Sequence, residues 1–286
     1  MLVRSSDGLD LVVHDLGGVG RTLLLSHATG FHGHCYAPMA HELADRFHSV
    51  ALDYRGHGDS PALLGEDGQP VVSWERYGDD ATAVATALVD ERGGPLVGFG
   101  HSMGGACLLM AAHRDPSLFS HLVVFEPIVF PTGGAHPAAA GPDGPSPLVA
   151  GARRRRSSFP SFEAAIENYA AKPPLGAFTP SALEAYVRHG FRRAEDGSVH
   201  LKCAPEVEAR TFEQGGTHTT WDVLASIETP VLVIAGVVEE WQPSGRAEPI
   251  ADQLPNGTYL QDDALDHFGP MTHPDAIARI VADFVS

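Results

Sequence analysis

The sequence predicts an α/β fold: an open, mostly parallel sheet with flanking helices, interrupted by a helical insertion. Two observations lead to this fold class. Short apolar runs alternate with longer helical stretches through residue 127 and again after residue 218, and such alternation favours parallel strands joined by right-handed crossovers. In addition, the turn Gly100-His101-Ser102-Met103-Gly104 joins an apolar run directly to a helical one, as at the carboxyl end of a strand in such a sheet.

The N-terminal part supplies the first strands and helices. Leu9–His14 and Thr22–Ser26 are β-rich runs separated by the glycine-rich stretch 17–20, which predicts a hairpin or two adjacent strands. The other elements predicted before the insertion are a helix over Pro38–Phe47, a strand over His48–Asp53, a helix over Trp74–Arg92, a strand from Leu96 into the turn, a helix after the turn and a strand over Leu122–Phe125.

Residues 128–218 lack the sheet pattern and predict a helical insertion without strands. Residues 131–147 are rich in Pro, Gly and Ala, which suits a flexible connector or a hinge. Ser161 and Thr179 stand where the N-caps of two helices are expected. The helical stretches of the insertion are Leu148–Ser158, Ser161–Ala171, Ser181–Arg193 and Pro205–Gln214.

The sheet pattern returns after the insertion. Pro230–Gly236 is an apolar run that suits a strand buried on both faces. Thr258–Leu260 predicts a short last strand, and Asp275–Val285 an amphipathic closing helix. We therefore expect residues 1–127 and 219–286 to form one core, with residues 128–218 inserted into it.

Composition narrows the class of protein and its partners. The chain has 286 residues and a formal net charge of −17, which makes nucleic acid an unsuitable partner because phosphate binding needs concentrated cations. No apolar run approaches the length of a membrane span, and no signal peptide is evident. Three cysteines without close spacing favour reduced thiols and a cytoplasmic location. The oligomeric state, a homodimer included, is left open.

Ser102, at the centre of the G-x-S-x-G turn, is the candidate nucleophile. Exposing a serine oxygen between a strand and a helix requires a strained backbone, and Gly100 and Gly104 remove side chains that would collide there. The first N–H groups of the following helix point at the space above Ser102, where an oxyanion would form. The pattern therefore predicts a nucleophile and an anion-binding site in one turn.

A serine nucleophile requires a base and an acid that orients the base. In sheets with this kind of turn, the chain order is serine, acid, histidine. Only His267 and His273 follow the last predicted strand, and His273 precedes Pro274 at an expected helix start. His267, which lies in the loop before that helix, is therefore the favoured base.

Four motifs together resemble the α/β-hydrolase family, in particular its esterases, lactonases and carbon–carbon hydrolases, over nearly the whole chain. They are His27-Ala28-Thr29-Gly30-Phe31, Asp53-Tyr54-Arg55-Gly56-His57-Gly58-Asp59-Ser60, Gly100-His101-Ser102-Met103-Gly104-Gly105 and His267-Phe268-Gly269-Pro270. The resemblance implies that residues 128–218 form a cap over the active site. It also implies that the Thr29 and Met103 N–H groups are the oxyanion donors, with Ala28 in place of the family's usual glycine.

Two glutamates compete for the role of the acid. In the family's commoner arrangement the acid follows the strand at 231–235 in a G-x-x-D-x-x-x-P pattern, where this chain has Glu239. Some members, certain mycotoxin lactonases among them, carry the acid where Glu126 stands. A carboxylate directly after an apolar strand needs a partner, because its burial alone is costly, and the longer glutamate suits a reach from a neighbouring strand. We favour Glu126 and keep Glu239 as the alternative.

The remaining site predictions concern the pocket and cofactors. Phe31, His101, Trp241 and Phe268 are predicted to line an apolar substrate pocket, although aromatic residues at strand ends are equally typical of ordinary core. We expect no metal and no cofactor. The histidines clustered near residue 30 lie in a glycine-rich loop without tight ligand spacing, and Ser102 accounts for the chemistry without a metal.

The expected reaction is hydrolysis of a carboxylic ester or lactone of a small apolar molecule through an acyl-enzyme. Within the family, serine at the turn argues against haloalkane dehalogenases and epoxide hydrolases, which use aspartate there. Carbon–carbon hydrolase, perhydrolase and lyase activities would use the same triad and stay open, because fold does not fix chemistry. A non-catalytic small-molecule receptor is the alternative from another class, although such a receptor has little need of His267.

Overall fold

A computed structural model describes residues 1–133, 146–239 and 242–286. The strands are β1 (Leu2–Arg4), β2 (Asp10–Gly18), β3 (Arg21–Ser26), β4 (Phe47–Leu52), β5 (Leu96–His101), β6 (Phe119–Phe125), β7 (Ser158–Phe159), β8 (Phe191–Arg193), β9 (Val199–Leu201), β10 (Val231–Ala235) and β11 (Gly257–Gln261). The helices are α1 (Ala37–Glu42), α2 (Trp74–Arg92), α3 (Met103–Arg114), α4 (Pro147–Arg153), α5 (Phe162–Ala170), α6 (Pro180–Gly190), α7 (Pro205–Glu213), α8 (Thr220–Val223), α9 (Ser244–Gln253), α10 (Gly269–Thr272) and α11 (Pro274–Phe284).

Eight strands form the central sheet in the order β1-β2-β4-β3-β5-β6-β10-β11. The pairs β1–β2 and β2–β4 are antiparallel, and every later pair is parallel. Both β5 and β10 are buried along their whole length, as expected for parallel strands covered on two faces. The predicted mostly parallel α/β sheet is confirmed.

The prediction that the first two runs form a hairpin or adjacent strands is wrong, because β4 lies between β2 and β3. The glycines of the link between them explain how it crosses the end of β4. A Cβ on Gly18 would lie 2.1 Å from the Phe47 carbonyl oxygen, and one on Gly20 would lie 2.3 Å from that of Arg46. Both glycines also have positive φ, so they allow a tight crossing that other residues would obstruct.

Two hydrophobic clusters cover the two faces of the sheet. One contains the buried sides of α2, α3 and α9. The other contains those of α1 and α11, and it continues without interruption into side chains of the insertion, including Phe178 and Tyr186. The insertion therefore packs directly onto one face of the sheet.

The insertion has the predicted helices but also short strands. Ser161 and Thr179 cap α5 and α6, since their side-chain oxygens accept hydrogen bonds from the N–H groups of Ala164 and Ala182. The prediction of no strand is wrong, because β7, β9 and β8 form an antiparallel sheet. These strands have only two or three residues, too few for an alternating pattern to appear in the sequence. The predicted division at residues 128 and 218 stays a prediction.

Part of the connector predicted over residues 131–147, namely residues 134–145, lies outside the described residues. The cysteines Cys35, Cys107 and Cys203 are buried and free. In the ranges that the structure describes, none of the helices combines the length and apolar character needed to cross a bilayer.

Polar contacts join the insertion to the rest of the chain close to the sheet's carboxyl edge. His32 Nε2–H donates to the Tyr186 carbonyl oxygen over 3.1 Å, and the Thr179 N–H donates to the Met271 carbonyl oxygen over 3.1 Å. The ring of His34 stacks on that of His189 with centroids 3.8 Å apart and planes 2° from parallel. The boundary is therefore lined with imidazoles.

Acid should destabilise the fold through these imidazoles. Burial, reinforced by the neighbouring His14 and His189, lowers the pKa of His34 to about 3. Burial also lowers the pKa of His27 and of His32 to about 3. Because the unfolded chain protonates histidine near pH ~6.5, these groups contribute stability above that pH. Their contribution is lost progressively as the pH falls from ~6.5 towards the folded pKa.

This loss is measured by thermal unfolding, followed by circular dichroism, between about pH 7.5 and pH 4.5. Below that window the titration of carboxylates dominates the pH dependence of stability. We expect His34→Gln to flatten the fall of Tm with decreasing pH. His41→Gln, at an exposed position, is the matched control and should leave the slope as in the parent chain. If Tm falls with pH as steeply in His34→Gln as in the parent chain, His34 is not a source of the acid sensitivity.

Candidate active site

Ser102 lies between the end of β5 and the start of α3 with a backbone at φ 57° and ψ −114°. The flanking glycines make this turn feasible. A Cβ on Gly100 would lie 2.6 Å from the Cα of Gly105, and one on Gly104 would lie 2.2 Å from the Ser26 carbonyl oxygen at the end of β3. The G-x-S-x-G spacing thus reflects close backbone packing around the serine.

Ser102 and Glu126 are the two non-glycine residues with positive φ in the part of the chain that the structure describes. Each directly follows a central strand, and the register of β5 and β6 pairs His101 with Phe125. The Ser102 N–H also donates to the Phe125 carbonyl oxygen over 2.9 Å. Backbone strain of this kind concentrates at functional sites, and here it occurs at two adjacent strand ends.

The Glu126 carboxylate is buried, with 1% of the residue exposed, and both of its oxygens have partners. Oε1 accepts a hydrogen bond from the Gly236 N–H over 2.9 Å. Oε2 lies 2.6 Å from Nδ1 of His267. Because a carboxylate only accepts hydrogen bonds, Nδ1 is the donor in this contact, and in a neutral ring Nε2 is then the nitrogen with the lone pair.

Gly236 brings the end of β10 against the loop that carries His267. A Cβ on Gly236 would lie 2.4 Å from the Leu265 carbonyl oxygen, and the next N–H, of Val237, donates to that same oxygen over 2.8 Å. Glu239 is exposed, and its N–H donates to Ser244 Oγ over 3.1 Å. The glutamate that contacts His267 is therefore Glu126. Trp241 lies outside the described residues.

Thr29 and Met103, the predicted oxyanion donors, lie on two elements that meet beside Ser102. Thr29 is buried in the loop after β3, and Met103 is the first residue of α3. Within residues 1–133, 146–239 and 242–286, neither backbone N–H donates a hydrogen bond. Both are therefore available to an acceptor atom of a ligand.

His101 joins the loops on either side of Ser102 through a chain of hydrogen bonds. Burial lowers its pKa well below the ordinary value, so the ring is neutral. Nε2 lies 2.8 Å from the His267 carbonyl oxygen and must donate to it. Nδ1 is then the acceptor of the Tyr36 hydroxyl, 2.8 Å away, while the Ala28 N–H donates to that hydroxyl over 3.2 Å. His101 is thus a structural link between these loops, and its predicted place in the lining of the substrate pocket stays a prediction.

An aromatic cluster lies next to these loops. Phe31 packs against Tyr186 and Phe178 of the insertion, with ring centroids 5.3 Å and 6.1 Å apart. Phe178 in turn lies 5.8 Å from Phe268, the neighbour of His267. Phe178 and Tyr186 are not among the residues predicted from the sequence to line the pocket. Phe178 directly precedes the N-cap residue Thr179. A hydrophobic residue at this position commonly packs against its own helix, so its burial could be predicted from the sequence, but its place beside the site could not.

His14, Asp53 and Asp59 are the one group in the described residues with metal-ligand atoms close together, all within 4.8 Å. Hydrogen bonds account for this geometry. Asp53 Oδ1 accepts from the Gly33 N–H over 2.7 Å, and Oδ2 lies 2.7 Å from His14 Nε2. The Lys202 ammonium is 2.6 Å from Asp59 Oδ1, and its charge opposes a second cation.

A nucleophile turn after a central parallel strand, with a histidine held by a buried carboxylate at the same edge, defines the α/β-hydrolase class. Residues 18–258 match the family described as serine aminopeptidase, S33. The chain belongs to that family, and the resemblance to α/β-hydrolases read from its motifs is confirmed.

The names of two relatives are consistent with the α/β-hydrolase class. The chain is 26% identical over 267 residues to the type I acyl-CoA thioesterase mpaH of Penicillium brevicompactum, covering 89% of this chain and 58% of that protein. It therefore spans little more than half the length of that relative. It is 26% identical to the pimeloyl-[acyl-carrier protein] methyl ester esterase of Chromobacterium violaceum, covering 96% of this chain and 98% of that one.

Among solved structures, that of E-2-(acetamidomethylene)succinate hydrolase has a TM-score of 0.77 to this chain at 21% identity, covering 100% of this chain and 98% of the other. At this identity the likeness shows the fold.

Tyr36→Phe should destabilise the chain because it removes the hydroxyl between two buried groups. His101 Nδ1 would lose its donor and the Ala28 N–H its acceptor, which costs about 1–3 kcal/mol of the free energy of unfolding. Urea denaturation measures the change. Tyr259→Phe is the matched control, since its hydroxyl bonds to Gln261 at the surface and its loss should have little effect. Equal effects of the two substitutions would contradict the proposed link.

Proposed function

We propose that the chain is a serine hydrolase that cleaves a carboxylic ester or lactone of a small, largely apolar molecule. Ser102 is the nucleophile, His267 the base and Glu126 the acid that orients it. The observation that carries the proposal is the 2.6 Å contact of the buried Glu126 with His267, at the strand end next to the strained serine. The names of its relatives, a thioesterase and a methyl ester esterase, support cleavage of acyl bonds.

In the proposed reaction, His267 Nε2 takes the proton of Ser102 Oγ as that oxygen attacks the carbonyl carbon of the substrate. The Thr29 and Met103 N–H groups stabilise the oxyanion. His267 then gives the proton to the leaving alkoxide, and an acyl-enzyme remains. Water, deprotonated by the same nitrogen, attacks the acyl carbon and releases the carboxylic acid with Ser102 restored.

Glu126 serves this cycle by holding Nδ1–H of His267. The hydrogen bond selects the tautomer in which Nε2 accepts a proton, and the negative charge stabilises the imidazolium that forms. The aromatic cluster of Phe31, Phe178, Tyr186 and Phe268 supports an apolar substrate body, because such side chains offer apolar area in a largely preformed site.

Labelling by a fluorophosphonate probe tests the nucleophile directly. The probe should attach to the parent chain and not to Ser102→Ala, because it needs an activated serine oxygen. Ser117→Ala, at an exposed serine, is the control and should be labelled as the parent is. A folded parent chain that is not labelled would count against hydrolysis and favour a non-catalytic receptor.

Substitution of the two candidate acids separates their roles. Glu126→Gln should lower kcat for a p-nitrophenyl ester by about a thousandfold or more, because an amide cannot stabilise the imidazolium and favours the wrong tautomer. Glu239→Gln should change kcat little, since its side chain is exposed. The opposite pattern in steady-state kinetics would assign the acid to Glu239.

A further inference from the structure

His27 is a buried histidine that the proposed reaction does not use. It directly follows β3, and 0% of the residue is exposed. Ser26, the last residue of β3, pairs with Gly100 in the register of β3 and β5. The loop that runs from His27 to the proposed oxyanion donor Thr29 therefore begins beside the serine turn, on the same edge of the sheet as Ser102.

The backbone N–H of Tyr54 fixes the tautomer of His27. This N–H donates to Nε2 of the imidazole over 3.0 Å, so Nε2 carries a lone pair and no proton. Burial, reinforced by the neighbouring His57, lowers the pKa of His27 to about 3, so the ring is neutral at about pH 7. A neutral imidazole has one N–H, and in His27 it is on Nδ1.

Nδ1–H of His27 donates to the Ala28 carbonyl oxygen over 2.8 Å. The Phe31 N–H donates to the same oxygen over 3.1 Å, so both lone pairs of this carbonyl are used. The N–H of Ala28 is held as well, because it donates to the Tyr36 hydroxyl over 3.2 Å. The backbone of Ala28 is therefore restrained on both sides.

The Ala28 carbonyl and the Thr29 N–H belong to one peptide unit. This unit is trans, and because peptide units are planar, its N–H points away from its carbonyl oxygen. A donor that fixes the carbonyl oxygen thus also fixes the direction of the N–H. The same hydrogen bond polarises the peptide unit and makes its N–H a stronger donor.

We propose that His27 is a positioning residue of the oxyanion hole, which acts through the Ala28 carbonyl to aim the Thr29 N–H at the oxyanion. The inference rests on the proposed function and adds to it a side chain that does not touch the substrate. The role requires the Nδ1–H tautomer, which the Tyr54 N–H selects. Residues that follow β3 and β4 therefore cooperate in stabilising the charge that develops at the serine turn.

Asparagine and glutamine each reproduce one of the two hydrogen bonds of His27. The amide nitrogen of asparagine replaces Nδ1 and donates to the Ala28 carbonyl oxygen, whereas the amide oxygen of glutamine replaces Nε2 and accepts from the Tyr54 N–H. With p-nitrophenyl butyrate, His27→Gln should lower kcat/KM by about tenfold or more, and His27→Asn should keep most of the parent value. The loss stays below the roughly hundredfold or more that removal of an oxyanion donor costs.

His57→Gln is the matched control. His57 is as buried as His27, and its ring centroid lies 5.2 Å from that of His27. Its Nδ1 lies 3.1 Å from the Arg55 carbonyl oxygen, which belongs to a peptide unit outside the loop of Thr29. We expect His57→Gln to lower Tm, measured by circular dichroism, and to keep kcat/KM. Equal losses of kcat/KM in His27→Gln and His27→Asn, or a loss that His57→Gln shares, would overturn the proposal.

A pair of inhibitors separates the aim of the oxyanion donor from a general change in the pocket. Ser102 attacks an alkyl trifluoromethyl ketone to form a hemiketal whose negative oxygen takes the place of the oxyanion, whereas the corresponding trifluoromethyl alcohol cannot react. His27→Gln should raise the Ki of the ketone by the factor by which it lowers kcat/KM, and it should leave the Ki of the alcohol nearly unchanged. A rise of both by the same factor would contradict the positioning role.

Nuclear magnetic resonance of the parent chain with isotope-labelled histidine observes the tautomer without turnover. The signal of His27, identified by its loss in His27→Gln, should show Nδ1–H at about pH 7. An Nε2–H tautomer in a chain that fluorophosphonate labels would refute the role of His27 and leave the hydrolase in place. An Nδ1–H tautomer in an unlabelled chain would refute the hydrolase and leave the hold on the Ala28 peptide unit in place.

Discussion

The burial of the Glu126 carboxylate is the constraint on which the rest of the site depends. A carboxylate removed from water is stable only with hydrogen bonds to its oxygens. The two that it receives come from the Gly236 N–H after β10 and from His267 in the loop after β11. This one side chain therefore fixes the ends of β6 and β10 and the loop after β11 relative to one another. The backbone hydrogen bond from Ser102 to Phe125 adds the end of β5.

The hydrogen bonds of His101 extend this arrangement to the loop after β3. They connect the loop of Thr29, through Tyr36, to the backbone of His267. The proposed oxyanion donor and the proposed base are thus held by one neutral imidazole. Groups that are fixed before the substrate binds need little reorganisation during the reaction, which is the condition for strong electrostatic stabilisation.

Local sequence patterns were sufficient to predict the sheet and the serine turn, because buried strands appear as apolar runs and the close packing of the turn appears as glycines at fixed spacing. They failed where distant parts of the chain decide the structure. The place of β4 between β2 and β3 depends on a crossing at Gly18 and Gly20, and the strands of the insertion are too short for periodicity. The sequence favoured Glu126 over Glu239 without deciding between them, because the contact with His267 is tertiary: Gly236 begins the pattern that pointed to Glu239, yet its N–H binds Glu126.

The position of Glu126 directly after β6 has a consequence for how this scaffold can diverge. Because the carboxylate that contacts His267 follows β6, the segment after β10 meets the histidine loop only near its start, through Gly236 and the Val237 N–H. Insertions and substitutions beyond Val237 can accumulate without displacing the Glu126 carboxylate, because surface connections tolerate changes in length. That segment is therefore a suitable place to graft loops of varied length when the substrate range of the scaffold is to be redesigned.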